Sequence, residues 1–136
     1  MITFHLTRQE ATFIKDAWLT YMTQLTNTRV INAAGSDGNY LKAMMIATLI
    51  ADVELIFQRK LLNRNTKAFK FTLSYAHGPA FYFYLHTQPV PTAYVWENQL
   101  RQRLCNELHQ QLFSMRPPVH ENIPITIEDF YADFIE

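Results

Sequence analysis

Between Thr66 and Thr87 the chain alternates so regularly that the pattern limits what this stretch can become. Phe69, Phe71, Leu73, Tyr75, Phe81, Phe83 and Leu85 hold odd positions, and Lys70, Thr72, Ser74, Tyr82, Tyr84 and His86 hold even ones. Side chains of a strand point alternately to its two faces, so a period of two predicts strands with an apolar side and a polar side. The expectation is a β-hairpin over residues 66–87 that turns at His77-Gly78-Pro79. Tyr75 would sit opposite Phe81, because a register slipped by one residue would set the apolar face of one strand beside the polar face of the other. The odd set would then pack on a core and the even set would meet solvent. On that outer face Lys70, Tyr82, Tyr84 and His86 form a candidate partner-binding surface.

The flanking segments read as helices. Ile2, Phe4 and Leu6 alternate with Thr3 and His5, a short strand over residues 1–6. Thr7-Arg8-Gln9-Glu10 has the spacing of a capping box and opens a helix over 7–27. Its predicted core stripe is Phe13, Ile14, Ala17, Trp18, Tyr21 and Leu25. Gly35 and Gly38 mark a connector, with Ser36, Asp37 and Asn39 as possible caps of a helix over 40–62. That helix is apolar on two sides. One face carries Met45, Ile46, Leu49, Ile50, Val53, Ile56 and Phe57; a second seam runs through Met44, Thr48, Ala51, Leu55, Gln58 and Leu62 in alternating steps of four and three. Such spacing is that of the a and d positions of a coiled coil, which predicts a helix either central in its domain or at a subunit interface.

Pro89 and Pro91 end the second strand of the hairpin, and a further helix over 92–115 carries Tyr94, Leu100, Leu104, Cys105, Leu108, Leu112 and Met115 on one stripe before Pro117-Pro118 stops it. Thr126, with Glu128 and Asp129 behind it, predicts a short C-terminal helix over 126–135. The fold class expected is therefore α+β: three main helices on a small antiparallel sheet, the hairpin extended by the N-terminal strand, in a single domain of 136 residues.

Charge is segregated although the net charge is zero. No acid occurs from Leu55 to Trp96, where Arg59, Lys60, Arg64, Lys67 and Lys70 lie, and no Lys or Arg follows Arg116, where Glu121, Glu128, Asp129, Asp133 and Glu136 lie. Arg59, Lys60, Arg64 and Lys67 are thus candidates for contact with phosphate or with an acidic partner. Lys67-Ala68-Phe69-Lys70-Phe71 has the basic and aromatic alternation of an RNA-recognition strand, but Ser74 stands where an aromatic belongs and two helices precede it.

Motifs for catalysis and metal binding are missing. The five histidines show no H-x-x-x-H pair, a single cysteine cannot build a zinc site of the usual spacing, and there is no G-x-S-x-G, G-x-G-x-x-G or G-K-[ST]. Cys105 is expected to be a buried small hydrophobe in a reducing compartment. The N-terminus has no signal-peptide pattern, and the longest apolar run, Ala43 to Ala51, is too short to cross a membrane. The functional expectation is a cytoplasmic, non-enzymatic interaction or accessory module without a cofactor or metal, self-associating as a homo-oligomer such as a dimer. The alternative is a nucleic-acid-binding accessory protein that uses the basic segment with Tyr82 and Tyr84.

Overall fold

The computed structural model describes residues 1–114, so the expected C-terminal helix and the acidic tail lie outside the described residues. The elements are β1 (Ile2–Thr7), α1 (Arg8–Phe13), a π-helical segment (Ile14–Leu19), α2 (Thr20–Asn32), α3 (Asp37–Leu61), β2 (Ala68–Leu73), α4 (His77–His86) and α5 (Val95–Ser114). The α+β class holds, with helices around a two-stranded antiparallel sheet.

Thr7 starts α1 as its spacing predicts. Its hydroxyl accepts the Glu10 amide hydrogen at 3.2 Å, and the Glu10 carboxylate accepts the Thr7 amide at 2.9 Å. α1, the π segment and α2 form one uninterrupted helical run. A π turn takes up an extra residue, and this shifts every position behind it on the helix surface. Ala11, Ile14 and Trp18 are buried at ordinary spacing; Leu19, Met22 and Thr26 then continue the same spacing one residue out of phase. The predicted stripe therefore fails from the π segment onward: Ala17 and Tyr21 emerge into solvent, and Leu19 and Met22 take the core positions.

The sheet pairs β1 with β2 across more than sixty residues of chain. Ile2 lies opposite Leu73, Phe4 opposite Phe71 and Leu6 opposite Phe69. All six face inward, and Phe4, Phe57, Phe71 and Phe81 make an aromatic centre in which Phe57 and Phe71 stack at 4.3 Å and Phe4 and Phe71 at 5.3 Å. The free edge of β1 is partly covered by α5, whose Gln111 amide accepts from the Thr3 N–H and donates to the Thr3 carbonyl. Arg8 holds the other end. Its guanidinium donates to the carbonyls of Leu61, Asn63 and Thr66 and lies 5.1 Å from the centre of the Phe69 ring. A cation on the last carbonyls of a helix suits the helix dipole, and here it also fixes the entry to β2.

The expected hairpin is only half present. Residues 68–73 form β2, but residues 77–86 form α4, a helix with Ala80 through Leu85 all buried. Three local features favour the helix. Ser74 Oγ accepts the amide hydrogens of Ala76 and His77 at 3.2 and 3.1 Å, which closes the turn that leads into the helix. Pro79 falls in the first turn, where its missing N–H costs nothing. Gly78 lets the helix start touch β1, since a Cβ there would meet Ile2 Cδ1 at 2.3 Å.

Candidate functional site

The surface expected from parity does not form. Tyr82 is 3% exposed and Tyr84 1% exposed, both turned inward from α4. The Tyr82 hydroxyl lies 2.8 Å from His109 Nδ1 on α5, and His86 packs its ring edge-on to Tyr82 at 4.6 Å. Burial pushes the Tyr84 phenol above its ordinary range, with the Arg29 charge acting weakly the other way. Lys70 is exposed on the outer face of β2, opposite His5, and so belongs to another element altogether. The four proposed contact residues are therefore not one surface. A tyrosine can be buried once its hydroxyl finds a partner, and this is why an even-numbered tyrosine did not have to face water. Arg59, Lys60, Arg64 and Lys67 are all exposed around the turn from α3 to β2, and none forms a salt bridge among the described residues.

A Ser–His–Asp chain exists that spacing alone did not announce. Ser74 Oγ lies 2.6 Å from His77 Nδ1, and His77 Nε2 lies 3.0 Å from Asp52 Oδ2 on α3. The serine oxygen already accepts two backbone amides, which occupy the lone pairs a nucleophile would need. The chain works as a clamp: Ser74 holds the turn that leads into α4, and His77 ties that end of the helix to the middle of α3. Among the described residues no group of three His, Cys, Asp or Glu side chains could hold a metal ion. Cys105 is buried in α5, and desolvation pushes its thiol up to about 11, so the thiolate needed for nucleophilic chemistry is scarce at neutral pH.

Two features of the surface stand out instead. The first is the outer face of α3. Met44, Thr48, Ala51, Leu55, Gln58 and Leu62 are exposed without exception, while Ala43, Ile46, Ile50, Val53 and Phe57 fill the core from the opposite side. Leu41, 61% exposed, extends the seam by one more step of three. The helix thus has one buried face and one regularly spaced, mostly apolar face in solvent.

The second feature is a cleft of about 410 Å³ between the π segment and the chain that joins α4 to α5. Phe13, Ala17, Trp18 and Tyr21 supply one wall; Gln88, Pro89, Val90 and Tyr94 supply the other, and Glu97 from the first turn of α5 closes it. The phase shift in the widened helix is what delivers Ala17 and Tyr21 to this wall. Phe13 stands edge-to-face with Trp18 at 5.1 Å and with Trp96 at 5.4 Å. The opposite wall is pinned: Asn98 donates from Nδ2 to the carbonyls of Pro91 and Tyr94 at 2.9 and 3.0 Å, and Arg101 donates to the Gln88 carbonyl. The aromatic content of residues 13–21 was visible in the sequence; its meeting with Tyr94 and Glu97, some eighty residues away, was not.

No family model, curated protein or solved structure matches this chain. No helix among the described residues is long and apolar enough to cross a membrane.

Proposed function

We propose that this protein is a non-enzymatic interaction module that associates with itself through the outer face of α3. The observation that carries the proposal is the exposure of every seam residue from Leu41 to Leu62, including Leu62 at 78%. A solvent-exposed apolar stripe of this regularity is unfavourable in an isolated chain and stabilising when a second helix packs into it. The seam spans 22 residues, about 33 Å of helix at 1.5 Å per residue. A helix pair of that length sits near the lower limit of stable interfaces, about 1,200 Å² in total, which favours a dimer formed in the micromolar range. The buried thiol of Cys105 fits a reducing compartment such as the cytoplasm.

Sedimentation equilibrium between about 1 and 200 µM tests the reading, a range that brackets micromolar association. The wild-type chain is expected to reach dimer mass with rising concentration. Leu55→Glu, at the centre of the seam and outside the core, is expected to remain monomeric with an unchanged circular dichroism spectrum. A wild-type chain that stays monomeric throughout removes the proposal.

A second reading rests on the exposed cations Arg59, Lys60, Arg64, Lys67 and Lys70, none of them in a salt bridge among the described residues. They support contact with nucleic acid or another acidic partner through charge alone, because Tyr82 and Tyr84 offer no stacking surface. Binding of this kind weakens steeply with salt and falls when Lys67 and Lys70 become Glu; salt-independent binding, or none, sets it aside.

A further inference from the structure

We infer that the cleft beside the π-helical segment binds a small organic cation, an ammonium group carried on an apolar or aromatic body. The inference is independent of association through α3.

The cleft's chemistry selects that class. Its volume of about 410 Å³ falls in the range of small-molecule sites. Phe13, Trp18, Tyr21 and Tyr94 present aromatic rings to it, and ring faces attract cations held within about 6 Å of their centres. Glu97 is half-buried in the wall and forms no ion pair among the described residues. The nearest cation along its own helix, Arg101, is committed elsewhere: its guanidinium donates to the Gln88 carbonyl and, at 3.1 Å, to Asn98 Oδ1. Among the described residues, Glu97 therefore lines an apolar, aromatic cleft without a neutralising partner. An anionic ligand would be repelled by it. A neutral apolar ligand would cover it and leave its charge without water or partner, which is costly. An ammonium compensates the charge while its apolar body covers the rings.

The site is also prepared in advance. Pro89 and Pro91 restrict the backbone of one wall, and Asn98 and Arg101 hold that wall by hydrogen bonds. The other wall is a helix whose wide turn sets Ala17 and Tyr21 toward the cleft. π turns of this kind recur at functional sites. A ligand entering such a cleft orders little, so most of its interaction energy remains as affinity.

Of the chain's two tryptophans, Trp18 lines the cleft and Trp96 packs edge-to-face on its Phe13, so intrinsic fluorescence reports on occupancy. The experiment titrates the full chain with benzyltrimethylammonium, and in parallel arms with benzyl alcohol and with phenylacetate. The ammonium is expected to give a saturable change, with both other compounds binding at least about tenfold more weakly. Glu97→Gln, a near-isosteric change at a partly exposed position, is expected to weaken the ammonium about tenfold with circular dichroism unchanged. Tyr94→Ala, on the exposed rim, is expected to weaken it about threefold. The inference is overturned if no saturable change occurs up to about 10 mM, if phenylacetate or benzyl alcohol binds as tightly as the ammonium, or if Glu97→Gln retains full affinity.

Discussion

In β2, Phe69, Phe71 and Leu73 turn inward while Lys70 and Thr72 stay in solvent; in α4, all five residues from Phe81 to Leu85 are buried. The two segments have the same odd-numbered apolar positions, yet one is a strand and the other a helix. The difference lies in the even positions. Lysine between two phenylalanines forces the chain to keep one side open to water, since an unpaired buried ammonium is prohibitive. Tyrosine imposes no such demand. With Tyr82 hydrogen-bonded to His109, the run from Phe81 to Leu85 is apolar all round and can be a buried helix as readily as a strand.

The sharpest way to break this comparison is to give α4 the constraint that β2 has. Tyr84→Lys is expected to cost more than about 4 kcal/mol, by burying a cation beside Arg29. Urea denaturation measures the loss, and a cost under about 1 kcal/mol would mean that Tyr84 is not an interior residue. Gly78→Ala comes next. The added methyl must displace Ile2 Cδ1, a steric penalty only partly offset by alanine's better helix propensity, for a net loss of about 1–2 kcal/mol. Combined with Ile2→Val, which deletes the obstructing methyl, the loss is expected to be clearly less than additive; strict additivity would mean that α4 does not start against β1.

Removing the Ser74 hydroxyl from the turn before α4 has a smaller effect. Ser74→Ala is expected to destabilise by about 1 kcal/mol, read as a lower urea midpoint. The smallest change belongs to the strand: Lys70→Tyr, which copies the α4 pattern onto β2, is expected to shift stability by less than about 0.5 kcal/mol because the residue stays on the outer face. A large loss there would show that the lysine supports the sheet and does more than mark its wet side.

The same contrast explains which parts of the molecule could be foreseen. β1 and the capping box at Thr7 were legible because their signals are local: alternation over five residues, and a hydroxyl and a carboxylate three residues apart. The two faces of α3 were legible because 25 residues give a helical period room to repeat, except that Met45, expected on the core face, is exposed. α5 follows from its stripe of Leu100, Leu104 and Leu108. The fate of Tyr82 and Tyr84 was not legible, because parity does not reveal that His109, a remote residue, satisfies the Tyr82 hydroxyl in the interior. Nor was the cleft. It needs a π turn that no spacing rule announced, together with Glu97, which arrives from a distant helix.

By itself the sequence determined the hydrophobic periods, the helix caps and breakers, and the segregation of charge. These are short-range properties, decided by neighbours within a turn or a few strand residues. Tertiary structure decided the conformation of residues 77–86, the one-residue phase shift across the π segment, and the meeting of Asp52 with His77 and of Glu97 with Trp18. Each of those depends on free energy from groups far apart in the chain: Ile2 against Gly78, His109 with Tyr82, and the core that draws Leu19 inward in place of Ala17. Local pattern leaves such choices nearly degenerate, and the packing of remote residues resolves them.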